Sequence, residues 1–466
     1  MALTEPQALS SGWESLRFLL DSVVISLMDT QREAAGEIVR RLRSEGFQAY
    51  LVGGCVRDLV MGREPKDYDI TTDAIPEQVL KLFPDGLTVG AQFGVIIVPR
   101  EEGNIEVATF RSDRSYADGR HPNEVRYTRT PQEDVRRRDF TINGLLYDPL
   151  SNEVLDYVRG QADIRGRHVR TIGDPYERFS EDRLRMLRAV RFAARFAFTL
   201  DPAALDAIQR LAPQIRDVSA ERVRDEILKI LTEGAARRGF ELLDRSGLLE
   251  QVLPEVKRLQ GVEQPPEFHP EGDVWIHTLI MLENLRRPTP TLALAALLHD
   301  VGKPPTFSVR KRIRFDNHVE IGARMAEAIC GRLRMSGRET QRVVELVAHH
   351  LRFKDFPHMR RSTQLRFLRM DGFEEHLELH RLDCLASHGD LTNYELARQM
   401  LQDIPVEEIK PPALLNGDDL IAQGYIPGPI FKQILQDVED AQLEGTVHTR
   451  DDALRLLEER YPLSRS

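Results

Sequence analysis

The stretch Leu51-Val-Gly-Gly-Cys-Val-Arg-Asp58 places two adjacent glycines between a short apolar run and a run that favours a helix. Glycine at such a turn lets backbone N–H groups approach the oxygens of a triphosphate, and the helix N-terminus adds a favourable dipole. The surrounding residues predict a helix over 31–45 and a buried strand over 49–52. Paired glycines alone usually mark only a turn, so nucleotide binding needs a second indication.

That indication is a pair of aspartates in Lys66-Asp-Tyr-Asp-Ile70. In a strand, residues two apart lie on one face, so Asp67 and Asp69 are expected to converge on the same divalent cations. A two-metal site needs such carboxylates near the attacking hydroxyl and the leaving pyrophosphate. Glu106, in a predicted strand over 105–110, is a candidate third catalytic carboxylate. An isolated aspartate pair is more often a surface strand end, but the preceding glycines reverse that preference.

Length, charge and cysteine content restrict the class of protein. A chain of 466 residues predicts two to four domains. The net charge of -10 argues against a protein that coats nucleic acid indiscriminately, although arginines concentrate over 111–138 and 183–195. Three isolated cysteines do not suggest a disulfide framework, and no run has the length of a membrane-spanning helix. We therefore expect a cytoplasmic protein without a membrane partner, and the sequence leaves its oligomeric state open.

The predicted secondary structure changes along the chain. Short strands over 69–71, 95–98 and 105–110 dominate the first part, whereas helical spacing dominates from about Ser180 to the C-terminus. The sequence therefore predicts an α+β fold, in which a small α/β head precedes all-α domains.

Several motifs follow one another along the chain: Gly53-Gly-x-x-Arg57-Asp58, Asp67-x-Asp69, Arg137-Arg-Asp-Phe-Thr-Ile-Asn143, Glu181-Asp-Arg-Leu-Arg185 with Arg188-Ala-Val-Arg-Phe192, and Arg222-Val-Arg-Asp-Glu226. This order resembles the class II tRNA nucleotidyltransferase and bacterial poly(A) polymerase superfamily. The resemblance implies addition or repair of the 3′-terminal CCA of tRNA from CTP and ATP at a Mg²⁺ site. It also implies nucleotide contacts for a set of residues: Gly53, Gly54, Arg57, Arg137, Arg138, Asp139, Asn143, Asp182, Arg185 and Arg188.

One of these motifs is expected to select the base. Asp182 and Arg185 are three residues apart, so on a helix they share a face. An aspartate accepts from the exocyclic amino group of cytosine or adenine, which uracil lacks, and an arginine donates to a ring nitrogen or carbonyl. The alternative is an ordinary surface ion pair. Arg222 and Glu226, by contrast, are expected to form a structural i,i+4 pair.

Other stretches leave alternatives open. The run Arg137-Arg-Asp139 is interpreted as a ribose and phosphate contact, but it also fits a capped basic helix start, and Asn143 also fits a structural role. The polar stretch 111–122 predicts a mobile loop. In the superfamily that the motifs resemble, such a loop accompanies enzymes that add the terminal A, which favours full CCA addition or A addition alone. A poly(A) polymerase and an RNA-binding protein with a decayed site are competing interpretations.

A second set of potential metal ligands follows: His277, His299, Asp300, His318, His349, His350 and Asp383. This series, with His299-Asp-Val-Gly-Lys303 at a helix end, resembles the HD phosphohydrolase superfamily, whose helices bring such residues onto one or two divalent metals. The resemblance implies hydrolysis of a 2′,3′-cyclic phosphate or a 2′-phosphate, with Lys303 stabilising the charge. The identity of the metal is left open. The alternative is a degenerate domain with a purely structural role.

These resemblances divide the chain into five parts. They are an N-terminal extension over 1–30, a nucleotidyltransferase head over 31–165, a helical neck and body for nucleotide selection and tRNA binding over 166–264, a helical HD domain over 265–400, and a helical tail over 401–466.

Overall fold

The computed structural model describes residues 31–88, 94–116, 122–267 and 269–463, so the extension predicted over 1–30 lies outside the described residues. The chain has the predicted α+β fold and separates into two compact units. The first unit comprises the chain up to Glu226 together with 241–252. The second unit comprises 227–240 together with the chain from Leu253 onward.

The strands of the described residues are mostly short. They are β1 (Ala49–Val52), β2 (Asp69–Thr72), β3 (Leu87–Thr88), β4 (Val95–Val98), β5 (Ile105–Thr109), β6 (Arg111–Tyr116), β7 (Pro122–Tyr127), β8 (Leu145–Asp148), β9 (Glu153–Asp156), β10 (His168–Val169), β11 (Thr199–Leu200), β12 (Phe307–Val309) and β13 (Ile313–Phe315). One sheet has the order β3-β4-β5-β2-β1-β8-β9, and the remaining strands form two-stranded sheets.

The α-helices are found along the whole of the described chain and occupy most of it after β9. They are α1 (31–44), α2 (Gly54–Val60), α3 (Pro76–Leu82), α4 (Pro131–Arg136), α5 (Gly160–Gly166), α6 (Pro175–Glu181), α7 (Leu184–Arg195), α8 (Pro202–Leu211), α9 (Ala220–Thr232), α10 (Ala236–Arg245), α11 (Leu248–Val252), α12 (Pro254–Lys257), α13 (Val274–Asn284), α14 (Pro290–Leu298), α15 (Lys303–Thr306), α16 (His318–Arg332), α17 (Gly337–His349), α18 (Arg361–Leu368), α19 (Phe373–Ala386), α20 (Thr392–Asp403), α21 (Val406–Ile409), α22 (Gly417–Ala422), α23 (Pro429–Leu443) and α24 (Arg450–Arg460).

The main sheet places the predicted strands of the head side by side. β1 and β4 have the bounds expected from the sequence, and β2 and β5 differ from theirs by one residue. β1 is buried along its whole length because β2 and β8 flank it. β2 pairs in parallel with β5, and this register sets Asp69 beside Glu106. Partner residues on adjacent strands share one face of the sheet, so both carboxylates lie on the same side.

The stretch 111–122, predicted to be a mobile loop, contributes two strands instead. β6 and β7 pair antiparallel, with Arg111 opposite Tyr127. Residues 117–121 lie outside the described residues. The prediction is wrong for 111–116 and for Pro122, which lie in strands. Their polar sequence lacks the alternation of apolar and polar residues that predicts a strand.

Two ion pairs of the first unit replace the pair expected within one helix. Glu226 Oε2 lies 2.6 Å from Arg191 Nε, and Arg222 Nη2 lies 2.8 Å from Asp182 Oδ2. The predicted pairing of Arg222 with Glu226 is therefore wrong. The Arg191 and Glu226 side chains are buried, so removal of either partner would leave a desolvated charge.

The second unit is built around an almost wholly apolar helix. α14 is buried from Leu292 to Leu298, and such a helix needs neighbours on every side. α13, α17 and α19 pack against it. A separate apolar core joins α22, α23 and α24 near the C-terminus. No helix within the described ranges combines the length and the apolarity needed to cross a membrane.

Candidate functional site

The first unit contains a cavity of about 420 Å³, here called the transfer pocket. All ten residues predicted to bind the nucleotide line it, together with Asp69. The full lining is Gly53, Gly54, Arg57, Asp69, Arg137, Arg138, Asp139, Asn143, Asp182, Arg185, Arg188, Arg191 and Phe192. Residues more than a hundred positions apart in the sequence thus meet around one space. Arg191 and Phe192, which belong to the motif Arg188-Ala-Val-Arg-Phe192 but were not predicted individually to contact the nucleotide, also line it.

The two glycines form the turn from β1 into α2. Gly53 has φ 78°, a left-handed conformation that L side chains rarely adopt, and α2 begins at Gly54. Arg57, on the first turns of α2, donates from Nη1 to Asn143 Oδ1 at 2.7 Å and pairs with Asp58. Its guanidinium also lies 4.5 Å from the ring centroid of Phe196. These contacts hold Arg57 in the wall of the transfer pocket, and they give Asn143 a structural contact at the same site.

The three candidate carboxylates occupy different positions around β2. Asp69 is the first residue of β2, and Glu106 is its partner on β5. Asp67 is exposed in a bend before the strand, so the expectation that both aspartates lie within one strand is wrong. Burial, followed by repulsion from Glu106 and Asp67, raises the pKa of Asp69 to about 6. Carboxylates that oppose one another's ionisation in this way fit a divalent cation, which would relieve the repulsion.

Buried carboxylates hold the arginines of the pocket. Asp134 lies 2.7 Å from Arg137 Nη2 and 2.9 Å from Arg138 Nη2, and it was not identified from the sequence. Burial opposes ionisation of Asp134, but the two guanidinium groups outweigh it and lower the pKa to about 2. Asp139 likewise pairs with Arg188 at 2.6 Å. The arginines are therefore positioned before a substrate arrives, which suits binding of a phosphate chain.

Asp182 and Arg185 reach the transfer pocket by a route that differs from the expected one. Asp182 is the C-cap of α6, with φ -144° and ψ 104°, and α7 starts only at Leu184. The two residues therefore do not share a face of one helix. The junction between α6 and α7 brings them together instead, because Asp182 Oδ1 accepts from the backbone N–H of Leu184 at 3.1 Å. Arg185 donates to Glu181 Oε2 at 2.6 Å.

The second unit gathers most of the predicted metal ligands, here called the HD cluster: His277, His299, Asp300, His318, His350 and Asp383. One ligand atom from each of His277, His299 and Asp383 lies within 4.8 Å of the others, and the same holds for Asp300, His318 and His350. The His299 and His350 ring centroids are 5.4 Å apart, so the two groups adjoin.

The hydrogen bonds of the HD cluster set the direction of its histidine rings. The Nδ1 atoms of His299, His318 and His350 lie 2.9, 2.8 and 2.7 Å from the carbonyl oxygens three residues earlier. A carbonyl oxygen can only accept, so each Nδ1 carries the proton and each Nε2 keeps its lone pair. These Nε2 atoms and Nε2 of His277 are buried and face no donor; the nearest charged atoms are carboxylate oxygens, with Asp383 Oδ1 3.1 Å from His277 and Asp300 Oδ2 3.1 Å from His299. Lone pairs buried without a donor fit a divalent metal, which would satisfy them together.

His349 does not belong to the HD cluster, although the sequence predicted it as a ligand. Its ring lies 6.0 Å from the ring of His376, and its side chain lines a separate groove with Arg342 and Glu375. Adjacent residues at a helix end point about 100° apart, so His349 and the following His350 face different surroundings. The position of His349 therefore contradicts its assignment as a metal ligand.

Lys303 and Glu271 support the HD cluster from outside it. Lys303 is buried, and its Nζ lies 2.6 Å from Asp300 Oδ2, so its charge is directed at a ligand and not at open space. Glu271 Oε1 lies 2.7 Å from Nδ1 of His277 and 2.9 Å from Nδ1 of His269. Glu271 was missed, although its place six residues before a predicted ligand could have indicated such a contact.

Glu271→Ala is expected to weaken divalent-metal binding by about 10- to 100-fold, because His277 would lose the acceptor that orients its ring. Metal affinity is measured directly, by competition with a chromogenic chelator. Glu271→Gln is the matched control, since its amide oxygen still accepts from Nδ1, and it should retain most of the affinity. Equal affinity in the Ala variant and the parent would show that the ring is oriented by other contacts.

Comparisons with known proteins match this arrangement. Three family models fit in succession: the poly(A) polymerase head domain over 49–170, the probable RNA and SrmB-binding site of polymerase A over 197–259, and the HD domain over 274–385. A CCA-adding enzyme of Enterococcus faecalis is 27% identical over 92% of this chain and 96% of its own length. Over most of its length the chain is therefore similar to CCA-adding enzymes, and over about half of it to a bacterial poly(A) polymerase.

Identity is higher in matches that cover about half of the chain. A CCA-adding enzyme of Bacillus licheniformis is 43% identical over 46% of this chain, and poly(A) polymerase I of Haemophilus influenzae is 38% identical over 49%. These matches span only 54% and 53% of the two relatives. A solved structure of the Bacillus stearothermophilus CCA-adding enzyme in complex with CTP has a TM-score of 0.69 and 27% identity, covering 91% of this chain and 96% of that one. The fold of that enzyme thus matches most of this chain.

Proposed function

We propose that this chain is a tRNA nucleotidyltransferase that adds or repairs the 3′-terminal CCA from CTP and ATP. The observation that carries the proposal is the transfer pocket, which unites Asp69 with all ten residues predicted to bind the nucleotide. The Bacillus stearothermophilus relative was solved with CTP, which supports a nucleotide as the ligand. The intact acidic and arginine residues of the pocket argue against an RNA-binding protein with a decayed site.

The chain's own residues account for binding and selection in this proposal. The backbone at Gly53 and Gly54 and the preset arginines receive the triphosphate. Asp182 accepts from the amino group that cytosine and adenine share, and Arg185 donates to the ring, so uracil is rejected. Asp67, Asp69 and Glu106 would hold Mg²⁺, which supplies charge neutralisation at the transferred phosphate. For Asp182 and Arg185, this requires that the substrate base displace their present ion-pair contacts.

The deciding experiment is incubation of a tRNA transcript lacking CCA with CTP and ATP, followed by sequencing of its 3′ end. Full addition gives CCA termini and stops there. Extension by A alone only on a transcript that already ends in CC would identify an A-adding enzyme. A long A tail would identify a poly(A) polymerase, the second candidate, which the 38% identity to the Haemophilus influenzae enzyme keeps open. Failure to incorporate either nucleotide would refute the proposal.

Asp182→Ala is expected to reduce the preference for CTP over UTP by roughly 10- to 100-fold, with a smaller loss of rate, because one base-reading acceptor disappears. Single-nucleotide incorporation with each of the four nucleotides measures the preference. Arg222→Met is the control, since it breaks the 2.8 Å ion pair but leaves Asp182 in place. If both variants lose selectivity equally, the ion pair shapes the pocket and Asp182 does not read the base.

We also propose that the HD cluster is the active site of a metal-dependent phosphohydrolase, which acts on a 2′,3′-cyclic phosphate or a 2′-phosphate of RNA. The buried Nε2 atoms without donors support metal binding. His277, His299, Asp300, His318, His350 and Asp383 would hold the metal, which would activate water and neutralise the phosphoester charge. Hydrolysis of both substrates in the presence of different divalent metals tests the activity.

We further propose that the chain is divided into the five parts given above and that it acts in the cytoplasm.

A further inference from the structure

A basic and aromatic hairpin adjoins the HD cluster. It consists of β12, β13 and the turn between them, with the sequence Phe307-Ser-Val-Arg-Lys-Arg-Ile-Arg-Phe315. The hairpin follows α15, which begins at Lys303, and it leads within three residues to His318. Both of its ends are therefore tied to residues at the HD cluster. Neither the ligand set nor the helical core accounts for its composition.

One face of the hairpin is apolar and turns towards the HD cluster. β12 and β13 pair Phe307 with Phe315 and Val309 with Ile313, so these four side chains share a face. The centroid of the Phe315 ring lies 6.3 Å from that of the His318 ring and 5.4 Å from Lys303 Nζ. Phe307 and Val309 continue this face outward and are 41% and 64% exposed. An apolar surface thus begins at the cluster, where it is aromatic, and continues as the aliphatic pair Val309 and Ile313 towards the hairpin tip.

The tip carries positive charge without neutralisation. Arg310, Lys311 and Arg312 are exposed, and no carboxylate among the described residues lies within 4 Å of them. Arg314 on β13 pairs with Asp316 at 2.9 Å. This run of three cations stands out against the net charge of -10 of the whole chain. Such a group attracts a polyanion.

We propose that this hairpin binds the 3′-terminal segment of a single-stranded RNA and presents the last phosphoester of that RNA to the HD cluster. An exposed aromatic ring offers a base a stacking surface, and successive cations contact the backbone phosphates, which is how proteins bind single strands without reading sequence. An acidic protein partner would explain the cations but not the aromatic face that leads to the cluster. The inference rests on the proposed phosphohydrolase function and names its substrate class, an RNA end and not a free nucleotide.

The test uses the full chain with Arg310, Lys311 and Arg312 all replaced by Ser. Hydrolysis is measured on an RNA oligonucleotide ending in a 2′,3′-cyclic phosphate and on 2′,3′-cyclic AMP. The KM for the oligonucleotide should rise about 10-fold. The slope of log KM against the logarithm of the salt concentration should decrease by about 2, because three phosphate contacts are lost. The KM for cyclic AMP should not change, since it lacks a backbone to contact. The charge-preserving variant R310K/R312K should retain the parental salt dependence.

A second measurement separates this inference from the phosphohydrolase proposal. The same oligonucleotide with a 4-thiouridine near its 3′ end is cross-linked to the parent and to the serine variant, and the linked peptide is mapped by mass spectrometry. A cross-link within 307–315 that the variant loses supports the hairpin, even if the parent hydrolyses neither substrate and the hydrolase proposal fails. Equal changes in KM for both substrates, an unchanged KM for the oligonucleotide, or cross-links only outside the hairpin would overturn it. Binding of an acidic peptide in place of RNA would overturn it as well.

Discussion

Replacing Asp69 with alanine is expected to lower CTP and ATP incorporation by roughly 10³-fold or more, because phosphoryl transfer depends almost wholly on positioning and on neutralising charge. Asp69 lies in the transfer pocket beside the arginines, and Glu106 lies next to it on β5. Asp67→Ala is expected to be similarly inactive. Incorporation of radiolabelled nucleotide into a tRNA transcript lacking CCA measures the loss. Near-parental activity in both variants would refute the assignment of these carboxylates.

The structure offers a control for misfolding in Asp69→Asn, which preserves the size of the side chain. The pKa of Asp69 is raised to about 6 in the folded chain. The protonated carboxyl therefore adds to the free energy of unfolding at low pH, and this contribution is lost as the pH rises through about 6. At neutral pH and without metal, the ionised carboxylate therefore opposes folding. The asparagine variant should be inactive with a melting temperature no lower than that of the parent in chelator. A lower melting temperature would mean that the carboxylate supports the fold.

Local signals in the sequence sufficed for four strands of the main sheet, β1, β2, β4 and β5, whereas most pocket residues were predicted from the resemblance of their motifs to a known superfamily. β1 and β4 were predictable because four apolar residues in a row, bounded by turn-forming residues such as glycine and proline, favour a buried strand. The glycine turn was predictable because only glycine accepts the backbone of Gly53. In both cases, the physical cause acts over a few residues, so a short window of sequence contains it.

Contacts between distant residues were not predictable in this way. Nothing marks the helix break at Asp182, since neither proline nor glycine stands there, and spacing alone suggested one continuous helix. Arg222 and Glu226 have the spacing of a helical pair, but Arg222 pairs with Asp182 between α6 and α7, and Glu226 pairs with Arg191 on α7. Asp134 shows its role only once α4 places it under two arginines. Spacing identifies possible partners, and tertiary packing decides between them.

The HD cluster differs because its ligand set was largely predictable while the direction of each side chain was not. Histidines next to one another, as at 349 and 350, are both plausible ligands in a sequence, and only the helix end shows which one turns inward. The Nδ1 contacts to carbonyl oxygens three residues earlier are a local device that fixes the free nitrogen. The rings are thus oriented by their own helices, and convergence of the nitrogens depends on the packing of those helices.

Replacing His299 and Asp300 together with alanine is expected to abolish metal-dependent hydrolysis of a 2′,3′-cyclic phosphate and to spare CCA addition. Both ligand groups of the HD cluster lose a member, since His299 belongs to one and Asp300 to the other. The transfer pocket draws all of its lining from the first unit, whereas every HD ligand belongs to the second. Sites that share no residue usually respond to mutation independently.

The design must account for Lys303, whose buried ammonium pairs with Asp300 at 2.6 Å. Loss of Asp300 leaves that charge without its carboxylate, which is strongly destabilising in a buried site. A triple variant that adds Lys303→Met removes the charge with little change in volume, and it should melt at a higher temperature than the double variant. Both activities are then measured on the triple variant. Cyclic-phosphate hydrolysis at the parental rate would exclude the HD cluster as its catalyst. Loss of CCA addition in a folded triple variant would show that the two sites are coupled and that the modular interpretation is wrong.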